Sequence, residues 1–505
     1  MNRKIAGYAK AHWKGLLSFA FAWMVFLFWG ARYFFVLSYQ EQSQMLLLTW
    51  DYLVARLAAP GGLSCWVGEF LTQFYFLPWI GALLLSLIYV AIQRLTWQLA
   101  RREGASDGYY PLSFVPVLAV WCCMADEAVL LSFPLSLAVV LALCLLLRQG
   151  KSFGKLAVPA LFIAVPVVYW LFGTVVYIVA LYVAICWTRH ARPCWKGMTA
   201  GISLLAWTLL TVWMSLFVTV FPFYRLLSGL PYYAFQTVVS WAVLSVMLLT
   251  ALTPFVLSWL PRRQLKGSFI AALALAVAAI GYKCVAGQYQ KESMDVMEYD
   301  ALVRAERWKA ILEKAQTDSH PTEMSVACAD LALYNQGMLL THLGAYRQIG
   351  PKGLFLSMET DMLSAITVGE IFYRLGLVNE SLRFFYDAQE TIPTYNKSAR
   401  LTARMAEIEL VNGQYDVARK YLHLLQKTLF YRHWAEDRLA LLGDEQAINS
   451  HPVYGFLRKC RLEENSLFQP ALMMETLQKL YRHNHDNRMA AEYMQAVMMM
   501  AGPSR

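Results

Sequence analysis

Residues 15–37 read GLLSFAFAWMVFLFWGARYFFVL, and Arg32 is the only charged side chain among them. An α-helix needs about 20 predominantly apolar residues to cross a hydrocarbon core about 30 Å thick. This run therefore predicts a membrane-spanning helix. Basic residues precede it, as in a signal peptide, but the apolar stretch is too long for one and no small-residue cleavage site follows. We expect it to remain in the chain as the first span.

The chain as a whole divides into an apolar part and an ordinary part. Hydrophobic residues make up 58% of the 505 residues and charged residues 15%, against roughly 45–50% and about 25% in soluble domains. Apolar runs fill the sequence to about residue 286, and charged residues return at normal density after it. We predict an all-α protein with a polytopic transmembrane helix bundle over 1–286 and a soluble helical domain over 287–505.

Nine apolar runs are bounded by charged or turn-forming residues. They lie at about 15–37, 75–94, 109–125, 128–147, 155–171, 174–188, 199–222, 237–260 and 268–286. Two stretches leave alternatives open, because 110–147 and 155–187 each read either as one long span or as a tight pair. Basic residues flank both ends of each stretch, and positive clusters favour the cytoplasmic side. A pair of spans fits better, because it returns the chain to that side. A re-entrant pair would also return the chain there, so the sides assigned to the later segments would not change.

The distribution of Lys and Arg sets the orientation. With nine spans and a cytoplasmic N-terminus, the cytoplasmic segments carry sixteen Lys and Arg residues before residue 287, whereas the other side carries four, Arg32, Arg56, Arg225 and Lys283. This asymmetry agrees with the positive-inside rule. An odd number of spans places 287–505 outside the cytoplasm, which in a bacterium is the periplasmic face of the inner membrane. Membrane orientation also accounts for the net charge of +10 without a nucleic-acid partner.

The tail has apolar residues at three- and four-residue spacing, which predicts helices. Small and aromatic residues recur at Gly369, Phe372, Gly376, Phe385 and Ala388. This order resembles the tetratricopeptide repeat, in which small residues let two antiparallel helices approach closely. A second unit places Gly413 37 residues after Gly376, against an ideal of roughly 34, and we assign the extra residues to the turn 394–396. The resemblance implies a concave array that binds a protein or peptide partner. The alternative is an irregular all-helical domain.

Acidic residues in the predicted outward loops are the first candidates for chemistry. The first loop, 38–74, is long and amphipathic, which predicts one or two helices lying in the membrane interface. Glu41, Asp51 and Glu69 then lie near the membrane surface, within reach of a lipid headgroup. The membrane lipid is therefore an expected partner of this loop.

Asp126 and Glu127 stand between two apolar runs with almost no loop to carry them into water. Ionisable residues at such positions are costly and tend to mark functional sites. The alternative is that the two acids only cap the following helix, since acids are favoured at a helix N-terminus.

Arg225 is the single cation of the segment 221–236, FPFYRLLSGLPYYAFQ. A guanidinium presents a fork of donors suited to phosphate, and the aromatic residues around it suit a sugar or an isoprenoid chain. The alternative is an arginine that reaches the interface beside a tyrosine belt. The sequence has no Walker loop, GxSxG or HExxH motif, which leaves these membrane loops as the candidate site.

The layout resembles the GT-C class of membrane glycosyltransferases, whose members have an acid in a long first outward loop, a second acid in a later loop and a cation for the lipid phosphate. The resemblance implies Glu41 or Asp51 as the catalytic acid or base, Asp126 or Glu127 as the second acid, and Arg225 as the phosphate-binding residue. It implies transfer of a sugar from a polyprenyl-phosphate donor, with a divalent metal left open. The whole chain also resembles an uncharacterised family of polytopic membrane proteins from Bacteroidota.

Two other functions stay open. A non-catalytic scaffold for envelope assembly would use the spans to place the helical tail, although one helix suffices for an anchor. A transporter usually has two related halves with interrupted helices, and the membrane part has no internal repeat. We rank the transferase first, the scaffold second and the transporter last.

Overall fold

A computed structural model describes residues 2–127, 129–149, 157–229, 239–262, 264–289, 292–318, 321–356, 361–392, 396–462 and 468–501. These residues are predominantly helical and contain no strand. The chain forms two compact units. Unit 1 comprises Met1–Glu41 and Leu48–Gln290, and unit 2 comprises Gln42–Leu47 and Lys291–Arg505.

The described part of unit 1 is built from thirteen α-helices. They are α1 (Asn2–Leu27), α2 (Phe34–Gln42), α3 (Trp50–Leu57), α4 (Gly62–Gln73), α5 (Pro78–Arg102), α6 (Val115–Cys123), α7 (Ser132–Gln149), α8 (Ala157–Phe172), α9 (Val176–His190), α10 (Cys194–Met214), α11 (Phe223–Ser228), α12 (Val239–Trp259) and α13 (Gly267–Gln288). A π-helical turn, Phe28–Arg32, follows α1. Two 3-10 stretches, Asp107–Phe114 and Gly173–Val175, precede α6 and α9.

Six stretches among the described residues are long and apolar enough to cross a membrane. They are His12–Arg32, Pro78–Arg102, Pro159–His190, Cys194–Phe217, Trp241–Trp259 and Gly267–Gln288, and a shorter apolar helix covers Ser132–Arg148. Their outward side chains are apolar: Phe19 is 68% exposed and Leu275 71%. Apolar surface of this extent marks contact with a membrane, so the chain is a multi-pass membrane protein.

The nine straight spans expected from the sequence are not confirmed in that form. The run at 109–125 is a 3-10 stretch followed by α6, which has nine residues and is about 13 Å long. Pro111 lies inside the 3-10 stretch, where an α-helix would lose a hydrogen bond to it. Gly173, with φ +77°, separates α8 from α9. Three of the predicted apolar runs begin outside the described residues, at 128, 155 and 237. The basic residues Lys151, Lys155 and Arg263 also lie outside them.

One end of unit 1, here named the basic end, is organised around Glu103, which follows α5. Its side chain is 1% exposed and lies 3.0 Å from Nε of Arg148 and 3.9 Å from Nη1 of Arg189. The Tyr182 hydroxyl donates to the same carboxylate at 3.1 Å. Arg148 is in the last turn of α7 and Arg189 in the last turn of α9, and Arg189 also donates to Ser258 near the end of α12. The carboxyl ends of α5, α7, α9 and α12 therefore meet at the basic end.

Two further apolar stretches start at the basic end. Lys14, in the middle of α1 and near the start of the apolar stretch His12–Arg32, pairs with Asp107 at 2.5 Å. Leu265, just before α13, packs against Gly108, where an added Cβ would come within 2.8 Å of it. Asp107 and Gly108 follow Glu103 by only four and five residues, so the start of that apolar stretch and the amino end of α13 lie beside it.

The other end of unit 1, here named the loop end, contains α2, α3, α4 and the turn Gly173–Val175. Gly61, between α3 and α4, donates its N–H to the Trp170 carbonyl of α8 at 2.8 Å and lies against Gly173. Gly68 of α4 packs on Ser132, the first residue of α7, and an added Cβ would come within 2.9 Å of the Ser132 nitrogen. The amino end of α7 and the α8–α9 turn therefore lie against α3 and α4.

The remaining helices also finish at the loop end. Ser215, just after α10, lies 3.4 Å from the Tyr169 hydroxyl of α8. The Tyr289 hydroxyl, just after α13, donates to the Trp121 carbonyl of α6 at 3.2 Å. The Tyr289 ring also contacts Trp29, at the end of the first apolar stretch, with centroids 5.5 Å apart. The carboxyl ends of α1, α6 and α13 thus meet.

Unit 2 is a set of shorter helices that pack in consecutive pairs. They are α14 (Glu292–Arg304), α15 (Trp308–Thr317), α16 (Glu323–Asn335), α17 (Leu339–His342), α18 (Met362–Leu375), α19 (Val378–Glu390), α20 (Ala399–Asn412), α21 (Tyr415–Leu425), α22 (Arg432–Leu439), α23 (Glu445–Ser450), α24 (Tyr454–Cys460), α25 (Met473–His483) and α26 (Arg488–Ala501). The pairs α15–α16, α18–α19, α20–α21 and α25–α26 pack closely.

The α18–α19 pair follows from its small residues. Gly376 ends α18 with φ +93°, a conformation that glycine adopts without strain, and Gly413 ends α20 likewise with φ +76°. Gly369 leaves room for the Phe385 ring, since an added Cβ would lie 3.0 Å from it. The Ser381 hydroxyl donates to the Gly369 carbonyl at 2.7 Å. The predicted turn residues Thr394 and Tyr395 lie outside the described residues, as does Pro393.

A six-residue segment of the first loop, Gln42–Leu47, belongs to unit 2. Met45 is 2% exposed and packs in a core cluster with residues of α20 and α21. Gln42 donates to Asp300 at 3.1 Å and accepts from Arg400 at 2.7 Å. Arg400 also contacts both carboxylate oxygens of Asp300 at 2.9 Å. These contacts build the segment into the interior of unit 2.

Candidate functional site

The five residues predicted as a site lie on four elements at the loop end of unit 1. Glu41 is in α2, Asp51 in the first turn of α3, Asp126 and Glu127 in the turn between α6 and α7, and Arg225 in α11. Their exposure differs. Glu41 is 4% and Arg225 8% exposed, Asp126 and Glu127 are half-buried, and Asp51 is exposed.

The helices that carry Asp51 and Arg225 reach the same turn. Gly61, four residues after α3, lies against Gly173, and Gly229, directly after α11, lies against Thr174. A side chain at Gly229 would collide with Thr174, whereas a Cβ at Gly61 would lie at ordinary contact distance, 3.5 Å, from the Gly173 Cα. The Arg225 guanidinium lies over the Tyr224 ring, 5.1 Å from its centroid. Asp126 and Glu127 precede α7, whose first residue, Ser132, packs on Gly68 of α4.

A charged cluster joins α3 to α4. Arg56 contacts both carboxylate oxygens of Glu69, at 2.8 and 3.0 Å. The Tyr52 hydroxyl donates to Glu69 at 2.9 Å and accepts from Arg56 at 2.7 Å. Burial raises the pKa of Glu69, and the attraction of Arg56 offsets this rise only in part. The cluster therefore fixes α3, and with it Asp51, on α4.

Unit 2 contains two adjoining cavities, of about 260 Å³ and about 340 Å³. Both are lined by Glu306, Arg374 and Arg404. The first is also lined by Arg304, Arg400, Glu407, Tyr431 and Trp434, and the second by Tyr334, Tyr373 and Phe456. Charged and aromatic side chains therefore alternate along one continuous surface of unit 2.

Three guanidinium groups of these cavities, those of Arg374, Arg400 and Arg404, have carboxylate partners. Arg404 lies 2.9 Å from both oxygens of Glu370 and 2.6 Å from Glu407. Arg374 lies 2.6 Å from Glu306. Burial is the largest influence and raises the pKa of Glu370, but the guanidinium groups of Arg404, Arg400 and Arg374 together outweigh it and hold that pKa below its ordinary value. Glu370 is therefore a carboxylate at neutral pH.

The described side chains form no preassembled metal site. No group of three or more His, Cys, Asp or Glu residues is placed to hold a metal within the described ranges. A Ca²⁺ site needs about six to eight oxygen ligands around one point, whereas Mg²⁺ binds through one or two carboxylates together with water and substrate phosphates. We assign no step to a metal.

The family of unknown function DUF6057 matches residues 10–502. The chain belongs to this family. No curated protein and no solved structure matches the sequence. Because the match runs across both units and across Gln42–Leu47, the family combines the membrane helices with the helical tail.

Several polar residues of this DUF6057 chain escaped the sequence analysis because they are buried by tertiary contacts. Glu103 reads as part of the cytoplasmic cluster with Arg101 and Arg102, and nothing in the sequence joins it to α7 and α9. The Tyr52 and Arg56 pair had a detectable signal, since residues four apart share one face of a helix. The same spacing relates Arg400 to Arg404 in α20, on the face that lines the first cavity.

Proposed function

We propose that the protein is a polytopic membrane enzyme that transfers a sugar from a polyprenyl-phosphate donor at the loop end of unit 1. One observation carries this proposal: Gly61, in the loop after the helix of the exposed acid Asp51, and Gly229, directly after the helix of the buried cation Arg225, both contact the turn Gly173–Val175. Sugar transfer from a lipid phosphate requires a base for the acceptor and a cation for the leaving phosphate. The two helices supply one of each.

The contacts at the two ends of unit 1 support nine membrane crossings. Helices α5, α7, α9 and α12 finish at the basic end, whereas α1, α6, α8, α10 and α13 finish at the loop end. The least regular crossing, from Asp107 to Cys123, is long enough because its 3-10 stretch rises about 16 Å and α6 about 13 Å. Read in chain order, these helices change ends nine times.

The position of Gln42–Leu47 supports the same parity. This segment is built into unit 2, so it and the tail must lie on one side of the membrane. An even number of crossings must therefore separate residues 47 and 291. The six stretches that qualify as spans leave five after the segment, which is odd, whereas nine crossings leave eight.

The charges at the two ends support the orientation. The basic end carries Arg101, Arg102, Arg148 and Arg189, and positive clusters favour the cytoplasm. The loop end and unit 2, which we propose to be a tetratricopeptide-like array, then face the periplasm of a bacterium. An alkaline phosphatase reporter fused after Arg505 should be active, and a cytosolic fluorescent reporter at that position should be dark. A cytosolic signal would overturn the orientation.

We assign Asp51 the role of general base and Arg225 that of the phosphate-binding residue. Asp51 takes the proton of the acceptor hydroxyl as that oxygen bonds to the anomeric carbon. The bond between that carbon and the phosphate oxygen breaks, and polyprenyl phosphate leaves with its charge on Arg225, which is suited to bidentate phosphate contacts. Glu41 is too buried to meet an acceptor first, and Asp126 and Glu127, which precede α7, are proposed as the second acid.

The experiment is mass spectrometry of lipid-linked and surface glycans from cells that carry Asp51→Asn or Arg225→Gln. A general base contributes typically 10²–10⁴-fold, so Asp51→Asn should reduce the product glycan at least about a hundredfold and cause the lipid-linked donor to accumulate. Asp51→Glu should restore part of the activity. Asp107→Asn is the matched control, because Asp107 is also an exposed acid, 59% exposed at the side chain, but lies at the basic end.

An unchanged glycan profile with normal amounts of the Asp51→Asn protein would contradict the transferase and favour the scaffold. One observation favours the scaffold as second candidate: unit 2 has cavities on a surface of paired helices, a form that suits a protein or peptide partner. The scaffold predicts that deletion of the protein alters the assembly of a partner complex while Asp51→Asn does not.

A further inference from the structure

The two adjoining cavities of unit 2 are lined by charged side chains of both signs. Four guanidinium groups, of Arg304, Arg374, Arg400 and Arg404, line them. Three lining carboxylates, of Glu306, Glu370 and Glu407, and that of Asp300, which is not part of the lining, lie within hydrogen-bond distance of Arg374, Arg400 and Arg404. The surface therefore offers donors and acceptors in fixed positions, with carboxylates paired to three of its four guanidinium groups.

The polar groups are held rigidly by aromatic rings. The Arg404 guanidinium lies 4.1 Å from the Tyr373 ring centroid, and that of Arg374 lies 5.2 Å from the Trp308 centroid. The Arg304 guanidinium donates to the Tyr431 hydroxyl at 3.1 Å. Groups that are fixed before binding lose little freedom when a ligand arrives, which lowers the cost of association. The half-exposed rings of Tyr431 and Trp434 remain at the edge of the first cavity.

We propose that these cavities form a binding site for a neutral oligosaccharide. Vicinal hydroxyl groups both donate and accept hydrogen bonds, and paired guanidinium and carboxylate groups present the matching acceptors and donors. The C–H face of a pyranose ring is apolar and packs on an aromatic ring such as Trp434. The combined cavities fall in the range of about 300–1,000 Å³ that is typical of ligand pockets.

Other ligand classes fit this surface less well. A phosphate or an acidic peptide would find three of the four guanidinium groups, those of Arg374, Arg400 and Arg404, already paired with carboxylates that it would have to displace. An apolar ligand would leave the charged groups without water and without partners, which is costly. A peptide added as an extra strand needs an unpaired sheet edge, and the described part of unit 2 is helical.

The site is separate from the transferase proposal, since none of its residues is Asp51 or Arg225. Its test is binding by the detergent-solubilised full chain to an array of neutral, phosphorylated, sulfated and uronic-acid oligosaccharides, with acidic and neutral peptides as competitors. Isothermal titration of the best neutral glycan should then show at least tenfold weaker binding for Glu306→Gln and for Trp434→Ala. Asp51→Asn should bind as the wild type does, whatever its activity.

The matched control is Arg432→Ala. Arg432 is in the same helix as Trp434, but its side chain is 64% exposed and pairs with Glu436 outside both cavities. It should bind as the wild type does. Binding to charged glycans or peptides alone, no binding to a neutral glycan, or equal binding by Glu306→Gln with an unchanged melting temperature would each overturn the proposal.

Discussion

Unit 1 and unit 2 are both helical, yet they distribute polar and apolar side chains in opposite ways. Among the described residues, all but six of the exposed large hydrophobic side chains belong to unit 1. The buried ion pairs of unit 1 lie at its two ends, around Glu103 and Glu69. Those of unit 2, Asp300 with Arg400 and Glu370 with Arg404, lie between helices inside the unit.

The difference follows from the solvent of each unit. Lipid tails accept apolar side chains without cost, but they offer charged groups no hydrogen bonds. Ion pairs of unit 1 are therefore placed where headgroups and water begin. Unit 2 must bury its apolar side chains, and the ion pair of Asp300 with Arg400 lies inside it, with side chains only 3% and 10% exposed. Removing one partner of an ion pair should therefore cost more in unit 2 than in unit 1.

The largest expected effect is that of Asp300→Ala. It leaves Arg400, whose side chain is 10% exposed, charged and without its carboxylate, which costs typically about 3–5 kcal/mol. Glu103→Ala should cost less, because Arg148 and Arg189 are 24% and 30% exposed and can turn to water or headgroups. Hydrogen exchange of α14 and α20 against α7 and α9, in detergent, measures both. An equal or reversed order would break the comparison.

The next effect concerns Met45, which belongs to unit 2 although it stands in the first loop. Met45→Ala removes a core side chain and should lower the free energy of unfolding of unit 2 by about 2–5 kcal/mol. Leu48→Ala is the control, because Leu48 is 47% exposed and belongs to unit 1. A melting curve of the full chain, followed by protease resistance of the tail, should separate the two variants. Equal curves would show that the segment is not part of the core.

The sequence predicted the class of the fold better than its connections. The helices, the apolar first part and the left-handed glycines Gly376 and Gly413 follow from local patterns of two to twenty residues. The insertion of Gln42–Leu47 into unit 2 does not, because Met45 meets α20 over more than 350 residues of chain and its own neighbours, MLLL, read as an interfacial helix. Only tertiary packing decides which surface such a segment covers.

The candidate site was predictable to a similar degree. The positive-inside rule places Asp51, Asp126 and Arg225 on one predicted side without any structure. It does not distinguish the exposed Asp51 from the buried Glu41, or from Glu69, whose partner Arg56 stands 13 residues earlier. Nor does it find the cavities of unit 2, since their arginines come from helices far apart in sequence.

A smaller effect depends on pH. Asp330 is fully buried and accepts one hydrogen bond from Gln348 at 2.8 Å, and burial raises its pKa to about 7. Its unfolded pKa is about 3.9, so between these values the folded state holds more protons. The contribution of Asp330 to the free energy of unfolding is complete below about pH 4 and is lost as the pH rises to about 7. The loss is up to about 1.4 kcal/mol per pH unit.

Asp330→Asn should remove this loss. As the pH rises from about 5 to about 7.5, the stability of the variant relative to the wild type should increase by about 2–3 kcal/mol. The measurement is the melting temperature of both proteins at the two pH values. Glu370 supplies the contrast inside unit 2, because its lowered pKa stabilises the fold above its unfolded pKa and loses that contribution as the pH falls. Parallel curves for wild type and Asp330→Asn would mean that Asp330 is not protonated in the folded state at pH 5.

The smallest effect compares two hydroxyl groups. The Tyr52 hydroxyl of unit 1 bonds both Arg56 and the buried Glu69, so Tyr52→Phe leaves a carboxylate short of a donor and should cost about 1–2 kcal/mol. The Tyr386 hydroxyl of unit 2 bonds only that of Tyr421, at 2.6 Å on an exposed surface, where water replaces it. Tyr386→Phe should therefore cost less than about 0.5 kcal/mol, as read from hydrogen exchange in α3 and α19. If the two substitutions lower the free energy of unfolding equally, the charged groups at the loop end are as well hydrated as the surface of unit 2. The contrast between the solvents of the two units would then not extend to the loop end.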